Sequence, residues 1–317
     1  MPDISLLLRY IDKVKSHYFA KRKTYQERLA LLQKAWQSLV KDRLPLADHQ
    51  INYPGYKKTQ YRVLSVDSSP IDLSRHRSIP LKALSLSRVL TDYKKGEEII
   101  ESEIQDIPES DEIGALDFPL RELKYACDFG KEVDIIMLDG SLIRWQWWQL
   151  QKDKRDVFVK NYADLLNASY AKKQPVLGII DRSLSRDITH LLELATKQDF
   201  AGFVDSDLFL GVLQEDQFSP VFISYSPIIK LLPEYKVAYC YYRKWNNVLR
   251  IEFLSRDISE NVWQYCVDQI EKVKGFPWSI ARAHNLCVVK ESQKQVIERL
   301  LTQEGLSQKE IMKRTGS

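Results

Sequence analysis

Asp67, Glu122, Asp139 and His284 are the residues of this chain whose types and settings suggest chemistry. Asp67 closes the run Arg62-Val-Leu-Ser-Val-Asp67 and precedes Ser68-Ser69. Asp139 closes Val133-Asp-Ile-Ile-Met-Leu-Asp139 and precedes Gly140-Ser141. Each run reads as a buried strand that delivers an aspartate to its C-terminal end, with small residues for a tight turn. Open α/β sheets bind ligands outside the carboxyl ends of their strands, so the two aspartates can converge. Carboxylates held together repel unless a cation lies between them. Either aspartate alone fits an ordinary Asx turn. The pair carries the signal.

Glu122 and His284 join this pair on weaker grounds. A glutamate on an amphipathic helix is usually solvated, but the Glu122 helix leads directly into the Asp139 strand. A lone histidine is more often a packing residue, yet Ala281-Arg-Ala283 before His284 permits close approach to a neighbour. Three carboxylates and one imidazole form an oxygen-rich set, and the nitrogen tilts it from Mg²⁺ toward Mn²⁺. Two such ions about 3.5–4 Å apart would activate a water and neutralise the departing 3′ oxygen of a phosphodiester.

The elements that must position these residues alternate. Helical spacing runs over residues 4–42 in two segments, and Pro45, Pro54 and Gly55 mark a loop over 43–59. Strands are predicted at Tyr61–Val66, Leu81–Thr91, Val133–Leu138 and Val176–Ile180. Helices are predicted at Leu116–Phe129, 152–170, Ser185–Thr196 and Asn261–Val273, with a further one opening at Leu208–Leu213 and a last one at Glu291–Thr302. The acidic stretch Glu97–Glu112 reads as an exposed excursion. Val237–Tyr242 and Val248–Leu254 read as a hairpin turning at Asn246-Asn247. The expected architecture is a single α/β domain with a mixed sheet over residues 60–290, a helical N-terminal extension and linker over 1–59, and a C-terminal helix with a polar tail over 291–317.

Composition is that of an ordinary globular chain: 317 residues, 44% hydrophobic and 28% charged, with a net charge of +4. That balance permits nucleic-acid binding without arguing for it. The N-terminus lacks the apolar core of a signal peptide, and no run suggests a membrane span. Cys127, Cys240, Cys266 and Cys287 are widely spaced, in apolar contexts and without a CxxC pattern. They read as buried free thiols in a reducing cytoplasm, and structural zinc is not expected. The lysine and arginine clusters read as solvated helix faces, although Arg182, Arg186 and Arg282 lie near the expected site and are candidates for phosphate. In Arg144-Trp-Gln-Trp-Trp148, Arg144 can meet phosphate and Trp148 can stack on an unpaired base. The competing reading packs Trp145 and Trp148 into the core or a dimer interface.

Five motifs occur in an order that resembles the NurA-domain nucleases: Ser65-Val-Asp-Ser-Ser69, Arg121-Glu-Leu-Lys-Tyr-Ala126, Met137-Leu-Asp-Gly-Ser-Leu142, Gly178-Ile-Ile-Asp-Arg-Ser183 and Gly275-Phe-Pro-Trp-Ser-Ile-Ala-Arg-Ala-His284. The resemblance covers about residues 60–290. It implies a ribonuclease H-like core, Mn²⁺-dependent cleavage of DNA (Mg²⁺ being the other candidate), a homodimer, and partnership with a HerA-type hexameric ATPase translocase in DNA end processing and repair. The activities it implies are 5′–3′ exonuclease and single-strand endonuclease. It assigns Asp67, Glu122 and Asp139 to the acidic metal ligands, His284 to the late histidine and Asp207 to a further aspartate; Asp181 is an additional acidic candidate of this chain. Three departures stand out. Ser68 replaces a usual glycine and would be strained at positive φ, Asp181 stands where lysine is favoured, and Phe276 stands where tyrosine is common. They motivate one alternative, a catalytically impaired DNA-binding or translocase-docking subunit. Another is a ribonuclease H-like enzyme acting on RNA or guide–target hybrids.

Overall fold

Strand β1 (Arg62–Asp72) starts where the sequence turns apolar but runs well past Val66 in the computed structural model, which describes residues 4–40, 60–72, 82–107, 116–231, 236–257, 259–273 and 275–302. Asp67 therefore lies inside a strand and not at its end. The reason is strand β2 (Lys82–Asp92), which pairs antiparallel with β1 from Arg62↔Asp92 through Asp72↔Lys82 and keeps it extended. The acidic stretch expected as an excursion is in part a strand too, β3 (Glu97–Asp106), joined to β2 through a turn in which Gly96 has φ +72°. An edge strand needs apolar residues on only one face. Ile99 supplies packing, while Glu101 pairs with Arg88 of β2.

The rest follows the predicted alternation closely. Helix α1 (Ile4–Val40) is one continuous helix, because no Gly or Pro separates its two apolar segments. Then come α2 (Phe118–Cys127), β4 (Ile135–Asp139), α3 (Lys152–Ala171), β5 (Val176–Asp181), α4 (Asp187–Thr196), α5 (Asp205–Val212), β6 (Phe222–Ile223), β7 (Val237–Lys244), β8 (Asn247–Leu254), α6 (Glu260–Lys272), α7 (Trp278–Cys287) and α8 (Glu291–Thr302). The hairpin turns one residue earlier than expected, at Trp245-Asn246, with Trp245 left-handed at φ +54°. The loop over 43–59 and the tail after residue 302 lie outside the described residues. Among the described residues, no helix is long and apolar enough to cross a membrane.

Eight strands form one mixed sheet in the order β3-β2-β1-β4-β5-β8-β7-β6. The chain divides into two compact units. One comprises Met1–Tyr53, Asp181–Ile223 and Cys240–Arg250; the other comprises Pro54–Ile180, Ser224–Tyr239 and Ile251–Ser317. In the first unit α1 buries Leu32, Ala35 and Trp36, and the Trp36 ring meets Phe209 edge-on at 5.2 Å. The second unit contains the larger apolar cluster. Leu64 and Val66 of β1 and Ile136 and Leu138 of β4 pack with Leu123 of α2 and with Phe158, Tyr162 and Leu166 of α3. Residues of opposite parity on β1 turn to α7, where the Ser65 hydroxyl donates to Ser279 Oγ at 2.7 Å. Strand alternation thus assigns α2 and α3 to one face of β1 and α7 to the other.

Candidate metal centre

The register between β1 and β4 is what places the two aspartates. The strands pair in parallel from Val63↔Ile135 to Val66↔Leu138, so the next residue on each is Asp67 and Asp139. Neighbouring positions in register leave the sheet on the same side. Beyond Asp139 the chain turns away through Gly140 at φ +102°, while β1 continues.

That turn is built from three sides. Gly178 of β5 lies under it: a Cβ there would stand 2.6 Å from the Gly140 carbonyl oxygen and 2.9 Å from the Leu142 side chain. The Gly140 N–H donates to the Ile179 carbonyl at 2.8 Å. From β8, buried Glu252 accepts from the Ser141 hydroxyl (2.6 Å), the Leu142 N–H (2.7 Å) and the Ile143 N–H (3.2 Å) through one oxygen, Oε2. Glu252 was not among the sequence candidates. Its signal was there, a carboxylate inside the otherwise apolar strand end Ile251-Glu-Phe-Leu254.

Two helices reach β1 at adjacent residues. Buried Asp67 accepts from the Ser68 N–H through Oδ1 at 2.8 Å. Its Oδ2 lies 2.7 Å from His284 Nδ1 and accepts from the Cys287 thiol at 3.4 Å. His284 and Cys287 both belong to α7, a helix that the sequence left unassigned. Burial, with the charge of Asp67 next in weight, pushes the Cys287 thiol well above its ordinary range. One residue on, the Ser68 hydroxyl donates to Glu122 Oε1 of α2 at 2.5 Å. Ser68 is extended and paired with Leu86, so the strain expected from a lost glycine does not arise.

Glu122 is 6% exposed, far from the solvated glutamate of an average helix. Burial, reinforced by the nearby Asp67 and Asp139 charges, pushes its carboxyl up to about 8, against the opposing pull of Arg144 and the Ser68 hydroxyl. Arg144 is itself buried, and its Nε and Nη2 make no hydrogen bond to a described residue. Its cation therefore acts inside the cluster, and not on an exposed surface. Among the described residues, the atoms that come within 4.8 Å of one another are those of Asp67, His284 and Cys287; Glu122 reaches β1 one residue on, from the α2 side, and feels the Asp67 and Asp139 charges from there.

The raised carboxyl has a measurable sign. A carboxyl whose folded-state value exceeds its ordinary 4.5 adds stability below that value and loses it as pH rises through about 8. The metal-free protein should therefore lose Tm between about pH 5 and pH 8, and Glu122→Gln should flatten that fall. An unchanged slope in the variant would assign the effect to another group.

The remaining candidates are placed as follows. Asp207 caps α5, its Oδ2 accepting from the Val204 N–H at 3.1 Å, and exposed Asp181 accepts from Asn247 Nδ2 at 2.7 Å. Both belong to the first unit, whereas Asp67, Glu122, Asp139 and His284 belong to the second. Arg182 is exposed and left-handed at φ +49°. Arg186 pairs with Glu193 at 2.6 Å, and Arg282 lies 3.4 Å from Glu98. Trp147 is buried after the Asp139 turn, donating to the Leu116 carbonyl at 2.8 Å, while the Trp145 side chain lies outside what the structure describes. Trp148 is 50% exposed, with the Arg155 guanidinium 4.6 Å from its ring centre. A single 3-10 turn over Trp145–Gln149 explains why consecutive indoles face differently.

Comparison with known proteins bears on the fold and the family. The chain is similar over 93% of its length to the NurA nuclease of Sulfolobus solfataricus, covering 99% of that chain with a TM-score of 0.62 at 16% identity. It is also similar to a NurA crystal structure with manganese, covering 93% of this chain and 98% of that one with a TM-score of 0.51 at 10% identity. No curated protein matches it. At such identities the likeness establishes the fold, a ribonuclease H-like mixed sheet flanked by helices. The NurA domain model itself matches residues 61–289, a range that includes Asp67, Glu122, Asp139 and His284, and the chain belongs to the NurA-domain family.

Proposed function

We propose that this protein is a metal-dependent DNA nuclease whose centre is formed by Asp67, Glu122, Asp139 and His284. The observation that carries this reading is the register of β1 and β4, which sets two aspartates side by side where β4 ends. Asp67 and Asp139 would hold the metal, with Glu122 completing the carboxylate set. A bound divalent ion supplies an acidified water and charge neutralisation at the departing oxygen. With Nδ1 engaged by Asp67, Nε2 is the nitrogen of half-exposed His284 left to exchange a proton with substrate. Arg144 offsets part of the carboxylate repulsion. Glu252 and Gly178 keep the Asp139 turn in place.

Family membership supports DNA as substrate, Mn²⁺ with Mg²⁺ as the second candidate, and a homodimer. It also supports a cytoplasmic role in DNA end processing beside a HerA-type translocase. Cleavage of labelled single-stranded and duplex DNA, with Mn²⁺, with Mg²⁺ and with EDTA, tests the reading. Metal-dependent cutting that EDTA abolishes is the expected result, and no cutting under any of these conditions would refute it.

Trp148 and Arg155 follow the Asp139 turn closely in sequence and present an aromatic face already paired with a cation. Stacking on an unpaired base contributes about 1–3 kcal/mol. Trp148→Ala should therefore weaken single-stranded DNA binding by roughly 5–150-fold in an anisotropy titration. Unchanged affinity would remove Trp148 from the DNA path.

A further inference from the structure

His284 and Cys287 stand three apart on α7 and so share one face of that helix. Both reach the same oxygen of Asp67, Nδ1 at 2.7 Å and Sγ at 3.4 Å from Oδ2. One ligand atom from each of the three residues lies within 4.8 Å of the other two. A tetrahedral zinc ion with bonds of about 2.0–2.3 Å sets its ligand atoms about 3.3–3.8 Å apart. The carboxylate–sulfur separation already falls in that range. The carboxylate–imidazole pair has to open by only about 0.6 Å.

The donor chemistry differs from that of the hard-ion centre. Thiolate and imidazole select zinc-like ions, whereas carboxylate oxygens suit Mg²⁺ and Mn²⁺. Asp67 and Cys287 are buried, and half-exposed His284 provides the way in. The ion would then have three protein ligands and one position open to solvent.

We propose that Asp67, His284 and Cys287 form a zinc-binding site that overlaps the nuclease centre at Asp67 and His284. On binding, the Cys287 sulfur forms a bond to the metal and its S–H proton leaves to solvent, so uptake releases acid. Zinc held in this way takes two of the four residues of the nuclease centre out of use and acts as an inhibitor. That consequence rests on the nuclease reading; the site itself does not.

Titration of the full chain with Co²⁺ alone tests the site. A thiolate-to-cobalt charge-transfer band should grow to one equivalent and be erased by one equivalent of Zn²⁺. Cys287→Ser should abolish the band and weaken zinc binding on the order of 10-fold or more. His284→Gln, at a half-exposed position that leaves the core untouched, should weaken zinc binding by a similar factor. No band in the wild-type chain, a band that survives Cys287→Ser, or full zinc affinity in His284→Gln would each overturn the proposal. A chain that binds cobalt through sulfur yet cuts no DNA would sink the nuclease reading and leave this site standing.

Discussion

Asp67→Asn should lower metal-dependent cleavage on the order of 10³-fold while leaving Tm within a few degrees of wild type. The size follows from losing a fixed charge at the reacting centre, where removal of one preorganised group commonly costs about 10²–10³-fold. The mild effect on folding follows from shape. An asparagine keeps the volume and one carbonyl oxygen, which still accepts from the Ser68 N–H. Its amide replaces the oxygen that faces His284 Nδ1 and the Cys287 thiol. Single-turnover cleavage at saturating Mn²⁺, read beside a thermal melt, separates the two effects. Wild-type cleavage by a folded Asp67→Asn chain would remove Asp67 from the chemistry.

Glu252→Ala should be the most destabilising single change around the site. It leaves the buried Leu142 N–H without its acceptor, while the Ile143 N–H keeps Ser141 Oγ and the Ser141 hydroxyl keeps the Ile143 carbonyl. A stranded buried N–H costs about 1–3 kcal/mol, so a fall in Tm on the order of 2–8 °C is expected. Cleavage should fall as well, because the turn that aims Asp139 loses its anchor. Glu252→Gln retains an acceptor oxygen and should lie between the two. A melt and a cleavage rate for Glu252→Ala that both match wild type would mean that Gly178 and the Ile179 carbonyl hold the turn unaided.

Much of this was legible in the chain because local pattern and tertiary role agreed. β4 and β5 are short apolar runs, and α2 and α3 show helical spacing, so each was recognisable by itself. β3 was misread because its acidic residues fit an edge strand as well as a loop, and only pairing with β2 decides between them. The extent of β1 was hidden for the same reason: β2 keeps Ser68-Ser-Pro70 extended where their types suggest a turn. α7 escaped because Pro277 and Gly275 mark a break, while the helix after them is only ten residues long. With it went the His-x-x-Cys spacing that brings Cys287 to Asp67. Glu252 could be noticed as a charge in an apolar strand, but its partners are more than a hundred residues away in the chain.

Asp67 and Ser68 lie next to each other on one strand, and α7 meets the first while α2 meets the second. A slip of β1 by a single position against its neighbours would exchange their faces. His284 would then meet a hydroxyl, and Glu122 would meet another carboxylate. For the proposed centre, metal affinity would therefore also be a fidelity signal, because a chain whose β1 has paired one step out of place cannot assemble it. Apparent metal-binding capacity during refolding would count the correctly threaded molecules, including among species that share the same strand content.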